Sequence, residues 1–511
     1  MSAELDLRAA AAAGALPRLA SARRAELLVL AGALACGLAA AGLVLLGKGV
    51  QTVAAAALAG VWLLILARWE RGLVALLAYL PFAGIPVLAL YPWEGHPAAH
   101  PVLWKDALFV LPAYAGFLLA AALRRRRDAP RHERMPAILM AILAGMVVAQ
   151  MFNPGVPSRL VALIGAKVWL FYLPLFFLAA AAVADRAALV RLFRLLTALA
   201  VAPCLVGIGE YALSRAFGYR EVMELLYGAA AAHATQSFTF FEVGAGQLAP
   251  RIPSTFTFVT QYFAFTMAML VPAYVVARSD PAPGWRRAGW WVLGLVAAAS
   301  LLSGARAGFV FAPLVLFVAW GLDRGIAGMV KALVFAAGVF AAVLAVLRVA
   351  AADIFSHVWE LLAAYGRETA LGDLLLAVAT APLGSGTGTN TGPARHALDN
   401  PEAFVGLENY YAKAVLELGL PGLAVVVALF ASILWIGFRA RARARAADPR
   451  LVPAAAALLA FAVVMALNCF KGWLIDLDPI NVYYWVFAGV LARLSFLAAE
   501  PEPPAESAAR R

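Results

Sequence analysis

A chain of 511 residues that is 64% hydrophobic and only 14% charged, with a mean hydropathy of +0.84, has too little polar surface to face water, since soluble domains carry about 25% charged residues. Its 41 Lys and Arg against 29 Asp and Glu leave a formal charge of +12, but the basic residues punctuate apolar runs and form no aromatic-interleaved groove. Nucleic acid is therefore a poor partner, and anionic headgroups and topology control account for the charge.

In chain order, residues 1–24 lack the compact arrangement of a cleaved signal and read as a cytoplasmic tail. Spans are expected at Ala25–Leu46 and Val50–Ala67 around a Gly47-Lys48-Gly49 turn, then at Gly72–Leu90 and Trp104–Leu123 around YPWEGHPAAHPVL. The block RRRRDAPRHERM, Arg124–Met135, is costly to translocate and marks its side as cytoplasmic. Pro136–Met151 leads outward, Pro154 and Pro157 stop regular helix, Leu160–Val183 returns, and Ala187–Leu213 goes out to the polar, aromatic interval Ser214–Pro250. Part of that interval, EVMELLYGAAAA, has the character of a short interfacial helix.

Ile252–Ala277, Trp290–Leu302, Phe309–Leu322 and Ile326–Val349 follow. The middle two are short against the usual span of about 20 residues, so a broken or re-entrant pair is the alternative to two crossings. The longest external interval, 350–406, starts with the amphipathic HVWELLAAYGRETALGDLLLAVA and ends in a glycine-rich loop. Leu407–Gly437, interrupted at Pro421-Gly422, leads to RARARAADPR, and Leu451–Phe470 and Val482–Ala498 complete the series.

The predicted fold class is all-α: a polytopic integral membrane protein with about 12 to 14 transmembrane helices. The expected organisation is a single membrane domain over residues 25–498, a large helical periplasmic loop at 350–406 within it, and a cytoplasmic tail at 499–511. Arg23, Arg24, Arg68, Arg71, Arg124 to Arg127, Arg286, Arg287, Arg324 and the arginines from Arg439 to Arg445 all sort to the cytoplasmic side. Cys36, Cys204 and Cys469 sit in or beside apolar stretches without C-x-x-C spacing and read as buried small hydrophobes.

The external cations are then Arg251, Arg306, Arg367 and Arg395, with Lys471 after a later span. Charge at membrane depth is expensive unless paired or wetted, and a guanidinium can clamp two phosphate oxygens, so a lipid diphosphate is a fitting ligand. The bland alternative is snorkelling to headgroups for Arg251 and Arg306, a solvated helix face for Arg367, and rim charge for Arg395 and Lys471. Glu408 and Glu417 stand nine residues apart in LENYYAKAVLELGLPGL, about two and a half turns, so they form no obvious carboxylate pair. Glu408 can serve as a general base or as a helix N-terminal stabiliser. Glu417 lies deeper, suited to binding an arginine, orienting the site or closing a hydrogen-bond network.

PLGSGTGTN, Pro382–Asn390, can present backbone N–H groups to an anion or form a tight structural turn; it lacks the Lys-Ser/Thr pair of a nucleotide-binding loop. His357 and His396 are expected outside and His132 inside, none with metal-ligand spacing; His396 in GPARHALDN is a secondary acid–base candidate.

Taken in order, RIPSTFTFVTQYFAF, SGARAGF, GRETALGDLLLAVATAPLGSGTG and ENYYAKAVLELGLPGL, with the span layout, resemble the O-antigen ligase and polymerase superfamily of bacterial inner-membrane glycan-assembly proteins. The resemblance is clearest from Arg251 to Leu423. It implies a periplasmic site in a multi-pass inner-membrane protein that takes a glycan from an undecaprenyl-diphosphate carrier and transfers it to a saccharide or glycolipid acceptor, as in lipopolysaccharide or exopolysaccharide synthesis. On it, Arg251, Arg306 and Arg367 bind the donor diphosphate, and Asn409, Tyr410, Glu417 and Gly419 match the loop-to-helix motif. The position where ligases often have histidine holds Glu408, which would take the acceptor proton, with His396 as its substitute. No nucleotide, redox cofactor or metal is implied. Two other readings share the architecture: a transporter or flippase for a carrier-linked saccharide, and a noncatalytic component of a polysaccharide-assembly complex that docks through its external loops.

Overall fold

The computed structural model describes residues 49–90, 103–123, 133–229, 240–242, 248–305, 307–347, 370–398 and 406–499. The expected first span at Ala25–Leu46, the Arg124–Arg127 block, His132, His357, Arg306, Arg367 and, within the 350–406 interval, residues 350–369 and 399–405 lie outside them. Its helices are α1 (Gly49–Ala67), α2 (Trp69–Tyr79), α3 (Gly84–Leu90), α4 (Leu103–Leu123), α5 (Met135–Gln150), α6 (Arg159–Leu170), α7 (Leu175–Ala182), α8 (Arg186–Phe217) and α9 (Tyr219–Tyr227). After an antiparallel ribbon of β1 (Phe240–Glu242) and β2 (Leu248–Pro250) come α10 (Val259–Ser279), α11 (Pro283–Leu302), α12 (Gly308–Arg324), α13 (Ile326–Leu347), α14 (Ala370–Thr380), α15 (Tyr410–Ala447), α16 (Val452–Asn468) and α17 (Ile480–Leu497).

Among the described residues seven helices are long and apolar enough to cross a membrane, or up to eight if the bent pair Trp69–Phe82 and Gly84–Leu90 is one span. The architecture is that of a helical, polytopic membrane protein. Ala55–Ala67, Met135–Gln150 and Leu371–Thr380 are shorter apolar helices.

The chain divides into two compact units, Met1–Leu80 with Pro97–Pro130 and Pro81–His96 with Arg131–Arg511. In the first, small residues let helices approach closely: a Cβ on Gly72 of α2 would come within 2.9 Å of Ala113 in α4. Trp62 of α1 donates its indole N–H to the Ala107 carbonyl at 2.9 Å, and Trp69 meets Phe117 edge-on at 5.1 Å. In the second unit α10, α16 and α17 are buried on nearly every face, as expected of helices that are apolar all round and enclosed by others. By contrast α8 and α15 leave a broad apolar face exposed, suited to lipid.

Ion pairs identify one end of this second unit. Arg443 and Arg439 of α15 approach Glu133 ahead of α5 at 3.4 and 3.8 Å, and Arg186 at the start of α8 meets Asp448 after α15 at 2.8 Å. Arg194 of α8 clamps Asp280 after α10 through two 2.7 Å bonds, Arg278 holds Asp323 of α12 at 3.0 Å, and Arg441 donates to the Leu322 carbonyl. Arg493 of α17 reaches the carbonyls of Val183 and Ala184 beyond α7. The helices therefore alternate in direction, and their other ends gather the turns that carry the candidate residues.

Two helices differ from the sequence expectation for clear reasons. The segment expected as Trp290–Leu302 begins at Pro283, with proline in the first turn, and Trp285 lies under Arg194 at the arginine end. Asp323 of α12 lies at that end too, so α11 leads away from it and α12 returns to it. The helix expected from Ile252 begins at Val259, because Ile252 to Phe256 fold back into the protein as buried, non-helical chain.

Candidate functional site

At the end opposite the arginines, α15 carries a break that the glycine-rich loop fills. Gly419 has φ +78, outside the helical region, and Pro421 cannot donate a backbone bond. In an unbroken helix Leu420 would donate to Leu416. Here Leu420 donates instead to the Pro382 carbonyl at 2.9 Å, and the Leu416 carbonyl accepts from Ser385 at 2.6 Å. The loop supplies the bonds that the break removes, the condition for irregular backbone at membrane depth. Glycine is required at 419, since a Cβ there would lie 2.7 Å from the Leu383 carbonyl carbon. The loop is also tied to α5: Gln150 donates to the Leu383 carbonyl at 2.8 Å and Thr387 to the Val147 carbonyl at 2.8 Å.

The loop does present N–H groups to an anion, and that anion is Glu417. One carboxylate oxygen accepts from the Asn390 amide at 2.9 Å and the Thr391 hydroxyl at 2.8 Å; the other accepts from the Gly388 amide at 2.9 Å and the Trp169 indole at 2.7 Å. An ionised carboxylate has about four acceptor positions, so this fully buried group is saturated by the protein and holds the loop onto α15. One helical turn earlier, Lys413 is also fully buried; it pairs with Asp476 in the α16–α17 turn and lies 4.6 Å above the Trp169 ring. Burial pushes the Asp476 carboxyl above the usual carboxylate range, opposed by Lys413.

Glu408 is different: its side chain is 74% exposed, just outside the helix, with Lys471 at 3.9 Å. Asn409 beside it is fully buried and caps α15, its side-chain oxygen accepting from the amides of Tyr411 at 2.9 Å and Ala412 at 3.1 Å. Tyr410 donates its amide to the Cys469 carbonyl at 2.9 Å and packs its ring 5.3 Å from Trp169. Cys204 and Cys469 are both buried and free.

Arg251 belongs to a second constellation at the same end. Its carbonyl accepts from the Tyr219 hydroxyl of α9, and the next amide, Ile252, donates to the Ser303 carbonyl at 2.9 Å. A Cβ on Gly304, at φ +73, would lie 2.9 Å from the Arg251 Cα, so Arg251 sits against the turn that leads to Arg306. Three residues after Arg251, Ser254 takes a left-handed φ of +53, strained for a residue with a Cβ. It is held by buried Glu210 of α8, which accepts from the Ser254 amide at 2.9 Å and from the Tyr227 hydroxyl, while Ser254 itself donates to the Pro203 carbonyl. Burial first, and then the Glu210 charge, push the Tyr219 and Tyr227 phenols upward, so both remain protonated donors; the Arg251 guanidinium pulls Tyr219 the other way.

Of the sequence candidates, Asn409, Tyr410, Glu417 and Gly419 lie together on α15, Glu408 pairs with Lys471, and Arg251 is brought to the turn before Arg306. Arg395 is exposed on the 3-10 helix Gly392–Ala397, which also carries His396. Arg306 and Arg367 are outside the described residues. Sequence reasoning missed Lys413 and Glu210, although each is a charge inside an apolar run and so carried a signal. It missed Trp169 and Asp476 because nothing local marks residues that meet Glu417 and Lys413 across 248 and 63 positions. Among the described residues no three His, Cys, Asp or Glu side chains gather as a metal site requires. No protein-family model matches the chain, and no curated protein matches it.

Proposed function

We propose that the chain is a membrane-embedded, metal-independent glycosyltransferase of the O-antigen ligase and polymerase type. It transfers a glycan from an undecaprenyl-diphosphate carrier to a saccharide or glycolipid acceptor at the periplasmic face of a bacterial inner membrane. The reading includes about 12 to 14 crossings, cytoplasmic termini and a periplasmic interval at 350–406. The observation that carries it is the seating of Arg251 against the Ser303–Gly304 turn, two residues before Arg306, at the end of the helices away from the arginine-rich loops.

In this reaction the acceptor hydroxyl oxygen bonds to the anomeric carbon as the bond from that carbon to the diphosphate oxygen breaks, and the carrier leaves with its electron pair. Arg251, Arg306 and Arg367 counter the negative charge that develops on the leaving diphosphate. Glu408, exposed on the rim, takes the hydroxyl proton, with His396 as the alternative base. The break in α15, which would suit a carrier protein, is filled by hydrogen bonds from the 382–385 backbone, and this weighs against a transport reading.

Purified protein incubated with carrier-linked oligosaccharide and acceptor is expected to yield a longer glycan or a glycolipid. Arg306→Ala should lower turnover at least about tenfold, while Arg439→Ala at the opposite end stays within about twofold. Movement of the intact carrier-linked saccharide across proteoliposomes without bond formation would instead establish transport.

A further inference from the structure

Resting on the transferase reading, we propose that Asn390 is a positioning residue for Glu408, itself held in register by Glu417. A general base must come within about 3 Å of the proton it takes, and a displacement of about 1 Å costs as much as a hundredfold in rate. Glu408 has little of its own to fix it: the side chain is 74% exposed and its ionic neighbour, Lys471, stands at 3.9 Å. Its place is set by the backbone on either side.

On the C-terminal side Asn409 caps α15 and Tyr410 bonds to the Cys469 carbonyl. On the N-terminal side the work falls to Asn390. Its side-chain oxygen accepts the Leu407 amide at 3.1 Å, and its side-chain NH2 reaches the Leu407 carbonyl at 3.5 Å. The two contacts imitate a strand pair, and the Leu407 donor determines which end of the amide faces it. Asn390 is 2% exposed, and its own amide donates to Glu417 at 2.9 Å. A path of hydrogen bonds, buried at Glu417 and partly buried at Leu407, thus runs from the saturated Glu417 carboxylate through Asn390 to the residue before Glu408. The glycine-rich loop acquires a role by this path: it carries Asn390 from α15 to the base, with its Gly388 and Asn390 amides given to Glu417.

Asn390→Ala removes both contacts to Leu407 and leaves the donor-binding arginines in place. Peptide-level hydrogen exchange should show faster exchange at the Leu407 amide. With carrier-linked donor, turnover should fall at least about tenfold while the donor KM stays within about twofold, because the displaced group acts on the acceptor. In a Glu408→Ala background, read by single turnover, adding Asn390→Ala should cost less than about twofold more, since the group it positions is already gone. Thr389→Ala, in the same loop and bonded to Gly386, is the control and should keep wild-type turnover. If Asn390→Ala does not fold, Asn390→Ser, too short to reach Leu407, takes its place in the same measurements. Unchanged Leu407 exchange, unchanged turnover, or losses that multiply in the double variant would overturn the proposal. A wild-type protein that transfers nothing defeats the transferase reading itself, a result distinct from an active enzyme indifferent to Asn390.

Discussion

Glu417 and Glu408 stand nine residues apart on one segment, and their surroundings divide them into a structural and a chemical carboxylate. The four donors around Glu417 leave it no acceptor position for a substrate. Glu417→Gln would turn an amide NH2 toward one backbone N–H and one side-chain donor, whichever way it is placed, leaving buried donors opposed, and should cost about 3 kcal/mol or more in stability by denaturant unfolding. A loss below about 1 kcal/mol would show that the loop is held by other contacts. Glu408→Gln, exposed at the rim, should leave stability within about 0.5 kcal/mol in the same assay. Both carboxylates were legible as candidates in the sequence, and closing a hydrogen-bond network was among the roles read for Glu417, but its partners were not legible. Nine positions along a helix say nothing of a glycine-rich loop that precedes the helix and returns its amides to one of them.

At the scale of elements, the Lys413 and Asp476 pair ties α15 to the turn between α16 and α17. Removing one partner strands a charge in a largely buried site, whereas removing both leaves a neutral, nearly isosteric pair. Lys413→Met alone should destabilise the protein by about 3 to 5 kcal/mol, and Lys413→Met with Asp476→Asn should recover more than half of that loss. Equal loss in the single and double variants would mean that Lys413 matters through the Trp169 face, 4.6 Å away, and not through Asp476. The order of elements around this pair could be read from hydropathy, but the start of α10 could not. Ile252 to Phe258 are expected to open the helix, although Pro253, Ser254, Thr255 and Thr257 stand among their apolar residues. They do not, because the Ser254 amide is spent on Glu210 and the Ile252 amide on Ser303, and both partners lie far away in sequence.

For the whole molecule, the apolar runs read as helices are helical among the described residues, and in the second unit ion pairs gather Arg186, Arg194, Arg278, Arg439, Arg441 and Arg443 at one end. Hydropathy carries this information because every span must repeat the same apolar length. It does not carry the interior, where Trp169, Lys413, Asp476 and Glu417 meet only after the helices have packed. The central claim is that the opposite end, with Arg251 against the Ser303–Gly304 turn, receives a lipid-borne diphosphate. Its most direct test is the affinity of undecaprenyl diphosphate, without sugar, for the protein in nanodiscs. Wild-type protein should bind saturably, Arg251→Ala should bind at least about tenfold more weakly, a difference of about 1.4 kcal/mol, and Arg439→Ala should match wild type. Absence of binding by wild-type protein, or equal affinity in all three, would contradict the account.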